Sequence, residues 1–147
     1  MKIFIGSDHA GYKLKKDLLS YLYGYGYYVV DLGNRYFDPD DDYPIYSKSV
    51  AKEVAKIKDS YGILICGSGQ GACIVANKIK GVRAALSEHI KDAYLSRKDD
   101  DCNVLCLPGR TMNIKTAQKV VKTFLETKFE NIPRRVRRIN EIKKIEK

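Results

Sequence analysis

A chain of 147 residues, 44% hydrophobic and 31% charged, has the size and composition of one globular domain that buries its own core. No apolar run approaches the ~18 residues that a membrane span needs, and no signal peptide is expected ahead of the first strand pattern. The net charge of +9 is concentrated late, since residues 134–147 hold seven basic side chains against two acidic ones. No stacking aromatics and no nucleic-acid motif surround this tail, so it reads as a solvated helix end rather than a nucleic-acid interface.

Strand and helix patterns alternate along the chain. Lys2–Gly6 reads as a strand and Ala10–Tyr23 as a helix, with Leu14, Leu18, Leu19 and Leu22 on one face. Tyr27–Asp31 is a second strand. Asp38-Pro39-Asp40-Asp41-Asp42 reads as a solvated acidic loop before a helix over Tyr43–Ile57. Tyr61–Cys66 is a third strand, followed by a glycine loop and a helical pattern of Ala72, Ile74, Val75 and Ile79. Strand Val82–Leu86, helix His89–Lys98, strand Cys102–Leu107 and helix Asn113–Thr127 continue the alternation. A last helix is expected over 133–145, because Pro133 suits a first helical turn.

Five strands separated by helices predict an α/β fold within one domain, residues 1–147. Its form is a Rossmann-like three-layer α/β/α sandwich with a five-stranded parallel sheet and a C-terminal helix. Ligands of such sheets bind beyond the carboxyl ends of the strands. That rim gathers Ser7-Asp8-His9, Cys66 to Gly71, and Pro108-Gly109-Arg110.

The loop after the third strand is the most informative. Cys66 ends an apolar run and Gly67, Gly69 and Gly71 follow, so backbone N–H groups can approach a ligand at a helix N-terminus. The same loop fits the dinucleotide fingerprint G-x-G-x-x-A, with Glu88 about where a ribose-binding acid belongs. Against that alternative, a nucleotide-binding module, the loop follows the third strand rather than the first. A thiol before the glycines is also foreign to the fingerprint. Four cysteines (66, 73, 102 and 106) form no C-x-x-C pair. Cys73, Cys102 and Cys106 are expected as buried thiols in a reducing cytoplasm. With two histidines in the chain, no metal site is expected.

Asp8 suits a helix cap as well as a substrate contact, whereas His9 beside it suits phosphate contact or proton transfer. Arg134 and Arg138 share a helix face at i, i+4 and can hold a phosphate dianion. Arg135 and Arg137 point elsewhere and are expected to be solvated.

Taken in order, IGSDHAGYKLK (5–15), DYP (42–44), ICGSGQG (65–71), ANKIKGVRAA (76–85), SR (96–97), NVL (103–105), Arg110 and R-R-x-x-R-I (134–139) span nearly the whole chain. The set resembles the ribose-5-phosphate isomerase type B family, which also contains the galactose-6-phosphate isomerase subunits. The resemblance implies an aldose–ketose isomerase of phosphosugars that uses no metal or cofactor. Ribose 5-phosphate and ribulose 5-phosphate are the expected pair. Family members place the base on a cysteine ending the third strand or on a glutamate just after the glycine loop. Cys66 occupies the first place and Ala72 the second, so this chain looks like the cysteine type. The positive end of a helix favours thiolate, as a general base near neutral pH requires. Ser68 and the N–H groups of Gly67 to Gly71 would stabilise the enediolate oxygen. By the same resemblance Asp8 and His9 contact the sugar and phosphate, Tyr43 lines the pocket, and Arg110, Arg134 and Arg138 hold the phosphate. It further implies a homodimer, or a tetramer built from it, with active sites shared between subunits and the last helix packed on the partner.

One segment departs from the pattern. Where pentose-phosphate members read S-R-x-H-N-D, this chain has Ser96-Arg97-Lys98-Asp99-Asp100-Asp101. Asp99 thus stands in place of the ring-opening histidine, and Asp100 in place of its asparagine neighbour. Either Asp99 serves as the proton donor, or the substrate is another phosphosugar, a tetrose or hexose phosphate. The three consecutive carboxylates at a helix C-terminus are expected to be solvated, which favours the passive reading.

Overall fold

The structure, a computed structural model, describes residues 1–146; Lys147 of the basic tail lies outside them. Strands β1 (Lys2–Ser7), β2 (Tyr28–Asp31), β3 (Ser60–Cys66), β4 (Ala84–Leu86) and β5 (Val104–Pro108) form one sheet in the order β2-β1-β3-β5-β4. Every pairing is parallel. The helices are α1 (Tyr12–Gly24), α2 (Tyr43–Lys56), α3 (Gln70–Ala76), α4 (Ile90–Asp100), α5 (Ile114–Glu126) and α6 (Pro133–Ile145). This is the α/β architecture expected from the alternating patterns.

Successive side chains of a strand face opposite sides of the sheet, and that alternation divides the core in two. Ile3, Ile5, Ile63, Ile65, Leu105 and Leu107 meet Leu14 and Leu18 of α1, Ala93 of α4 and Phe124 of α5. Phe4, Leu64, Cys66, Val104 and Cys106 face the other way, onto Val50 and Val54 of α2 and Ala72 and Ala76 of α3. The turn after β1 leads to one layer and the turn after β3 to the other. The two turns part, and a crevice opens between the carboxyl ends of β1 and β3, the switch point of the sheet.

Element boundaries shift where side chains replace backbone partners. The first helix begins later than its apolar pattern, because His9–Gly11 forms a 3-10 turn capped by Asp8. The fourth strand starts at Ala84 rather than Val82. Gly81 has a φ of +85°, Asn103 Oδ1 accepts from Arg83 N–H at 2.8 Å, and Asn103 Nδ2 donates to Gly81 O at 2.8 Å. Asn77 of the Ala-Asn-Lys motif finishes the open edge of β4. Its Oδ1 accepts from Ala84 N–H at 2.8 Å and its Nδ2 donates to Ala84 O at 2.9 Å.

Candidate active site

Cys66 is the last residue of β3 and only 3% exposed, with its side chain on the α2–α3 side of the sheet. Gly69, the residue before α3, has a φ of +76°, a left-handed conformation that favours glycine and turns the chain sharply into the helix. Ser68 is exposed at the tip of this loop, and its Oγ accepts from Gln70 N–H at 3.3 Å. The backbone continues the β3–β5 pairing past both strand ends. Gly109 N–H donates to Cys66 O at 2.7 Å, and Arg110 N–H to Gly67 O at 3.1 Å. The exposed Arg110 lies over this loop, since a Cβ on Gly67 would stand 2.9 Å from its Nη1. Tyr43, the first residue of α2, covers Gly71; a Cβ there would stand 2.8 Å from the tyrosine oxygen. The other thiols are placed differently. Burial pushes Cys102 up to about 12 and raises Cys106, whereas a hydrogen bond with Cys106 brings Cys73 down to about 7. Cys73 is half-buried rather than buried, with Sγ 3.4 Å from Ala84 O.

Across the crevice, Asp8 Oδ1 accepts from Gly11 N–H at 3.2 Å, so this carboxyl does act as a cap. Burial raises its pKa, and the Gly11 hydrogen bond opposes the rise. His9 turns Nδ1 onto Asp41 Oδ1 at 2.8 Å, and this hydrogen bond raises the imidazole pKa above its ordinary value. The acidic loop is therefore not wholly solvated. The Asp41 side chain is 4% exposed and engages His9, a partner 32 positions away that no local pattern reveals.

The remaining candidates lie at the other end of the sheet. β4 delivers the chain to the crevice rim, where His89 caps α4, and α4 then runs back to end at Asp100. Glu130 N–H donates to Lys98 O at 2.9 Å, so the start of α6 sits beside the end of α4. Asp99, Asp100, Arg134 and Arg138 thus stand about a strand length, ~20 Å, from Cys66 within one chain. Asp100, Arg134 and Arg138 are exposed. Two expectations need correcting here. Arg135 is buried rather than solvated, with Nη2 2.6 Å from Asp99 Oδ1 and Nη1 on Glu130. Two of the three carboxylates are paired rather than merely hydrated, Asp99 with Arg135 and Asp101 with both Arg83 and Arg97, while Asp100 is exposed as expected. Arg97, 4% exposed, also donates to Cys102 O and to the Tyr61 hydroxyl, which ties α4 to the sheet.

The profile of the Ribose/Galactose Isomerase family matches residues 3–142. The chain belongs to this family. Its fold matches the crystal structure of ribose-5-phosphate isomerase B from Mycoplasma genitalium with bound ribulose-5-phosphate at a TM-score of 0.95. Identity there is 47%, over 99% of this chain and 95% of that one. Ribose-5-phosphate isomerase B from Thermotoga maritima matches with a TM-score of 0.93 and 40% identity over 97% of both chains. Ribose-5-phosphate isomerase B of Escherichia coli is 38% identical over 129 residues, 88% of this chain and 86% of that protein. The dinucleotide alternative loses its geometry as well. β5 lies between β3 and β4, so Glu88 is not on the strand next to the glycine loop. No described helix is long and apolar enough to cross a membrane.

Proposed function

We propose that this protein interconverts ribose 5-phosphate and ribulose 5-phosphate, with Cys66 as the base. The observation that carries the reading is the thiol itself, placed at the strand end before a glycine loop and a helix N-terminus. The chain around it is 47% identical to an isomerase B crystallised with ribulose-5-phosphate. In the open-chain aldose, the Cys66 thiolate takes the C2 proton, and the electron pair moves through C2–C1 onto the carbonyl oxygen. The resulting enediolate is stabilised by the N–H groups of Gly67, Gly69 and Gly71 and by the Ser68 hydroxyl. Cys66 returns its proton to C1 while the hydroxyl proton passes from O2 to O1, which yields the ketose. Asp8 and His9 hold the sugar and phosphate, Tyr43 closes the pocket, and Arg110 binds the phosphate. No step calls on a metal or a cofactor, and the four free cysteines fit a reducing cytoplasm.

Arg134, Arg138, Asp99 and Asp100 reach such a site only from a second copy of the chain, so the working unit is a homodimer or a tetramer built from it. Asp99, engaged by Arg135, fits a passive replacement of the ring-opening histidine better than a proton donor. That pairing supports a second reading, in which the preferred substrate is another phosphosugar: a tetrose phosphate, whose chain is too short to close a furanose with its phosphate in place, or a hexose phosphate. The test is turnover by purified protein on four-, five- and six-carbon aldose phosphates, with Cys66→Ser alongside. A serine hydroxyl is too weak a base near neutral pH, so loss of turnover with fold and phosphate binding retained is expected. Substantial activity in Cys66→Ser removes the assignment of the base. Tetrose or hexose phosphate turnover well above that of ribose 5-phosphate selects the second reading.

A further inference from the structure

We propose that Asp41 is the positioning residue for His9, at the head of a hydrogen-bond chain that runs through Asn34 to Tyr46. Asp41 Oδ1 accepts from both the backbone N–H and the ring Nδ1 of His9, each at 2.8 Å. Its Oδ2 accepts from Asn34 Nδ2, and Asn34 Oδ1 accepts from the Tyr46 hydroxyl. Burial raises the pKa of Tyr46, which keeps that hydroxyl protonated as a donor. Lys15, buried and ion-paired with Asp31, fixes the other side of Asn34 by donating to its carbonyl at 2.7 Å. Two bonds to one residue set both the position and the tautomer of the ring. Nδ1 carries its proton toward the carboxylate, and Nε2 is left to meet a ligand.

The charged groups that face His9 are Asp8 on its own turn and Asp41 opposite, with the Lys15–Asp31 pair one layer behind. Phe37 from the loop stands edge-on to the imidazole at 6.4 Å. Both carboxylates favour the imidazolium, so His9 remains a cationic donor to higher pH than a free histidine. A phosphate dianion is the ligand that such a donor suits. The inference rests on the reading of His9 as a phosphosugar contact.

The chain has two histidines, His9 and His89. An imidazole NMR titration of the ligand-free protein, with His89→Gln for assignment, therefore reads His9 directly. In Asp41→Asn its midpoint is expected to fall. Between the old and new midpoints, KM for ribose 5-phosphate is expected to rise about tenfold, the loss of a charged hydrogen bond, while kcat changes little. Tyr46→Phe should shift both in the same direction by less. An unchanged His9 midpoint in folded Asp41→Asn overturns the proposal. A lowered midpoint with KM unaltered at every pH upholds the positioning role and overturns the reading of His9 as a phosphate contact. If Asp41→Asn fails to fold, Tyr46→Phe carries the same test with the same outcomes.

Discussion

Cys66 and Cys73 are seven positions apart and stand in different surroundings. Cys66 ends a strand at the crevice, whereas Cys73 lies within α3 against β4, with Cys106 beneath it. Because Cys73 is brought to about 7 while Cys102 is held near 12, alkylation at pH 8 should mark Cys73 well before Cys102 or Cys106. Peptide mass spectrometry of a time course would check the order, and earlier labelling of Cys102 would contradict it. A second prediction concerns Gly71, whose missing side chain makes room for the Tyr43 ring. Gly71→Ala should displace the ring, raise KM for the phosphosugar, and cost about 1–3 kcal/mol in urea unfolding. The place of Cys66, Asp8 and His9 at the carboxyl-end rim was legible in the sequence, because a residue at or just past the end of a buried strand has few places to point. Asp41 was not legible. A run of acids and a proline reads as hydrated loop, and only the arrival of His9 from the first turn removes one member from water.

Helices α4 and α6 meet at the segment that departs from the S-R-x-H-N-D pattern. Asp99 at the end of α4 and Arg135 at the start of α6 form an ion pair, with Glu130 on the other side of the guanidinium. Arg135→Ala should loosen α6 from α4 at a cost of about 1–2 kcal/mol, since the carboxylate partners are partly hydrated. Urea denaturation measures the cost, and an unchanged midpoint would show that the pair does not hold the helix. Asp99→His introduces the histidine to which the family resemblance assigns ring opening. On the passive reading it should raise ribose 5-phosphate turnover, whereas a fall would assign Asp99 a part in the native reaction. The helix and strand alternation was legible throughout, as was the start of α6 at Pro133. Its ends were less so, because Asn77, Asp8 and Asn103 supply side-chain bonds in place of backbone ones. The spacing of Arg134 and Arg138 indicated their shared face. It gave no hint that Arg135, between them, turns inward, because i, i+4 spacing does not report which face of a helix finds a partner.

Across the whole molecule the candidate residues fall at two ends of one sheet, and no movement within a single domain brings them together. Mixing Cys66→Ser with an Arg134→Ala, Arg138→Ala double variant should therefore restore activity that neither has alone. Random reassortment of a twofold dimer would give about a quarter of native turnover. No recovery after subunit exchange would place the phosphate site within one chain, on Arg110. The end-to-end separation was beyond sequence reading, since it depends on which way α4 runs and on the strand order. The stitch between the ends of β3 and β5 has its own consequence. Gly109 N–H on Cys66 O and Arg110 N–H on Gly67 O make the main chain under the thiol and under the guanidinium two marks on one gauge. With Cys66 as the base and Arg110 on the phosphate, as proposed above, a sugar would be measured by the carbons between its acidic C–H and its phosphate. A chain that is too short leaves one mark unreached, and one that is too long must buckle to touch both.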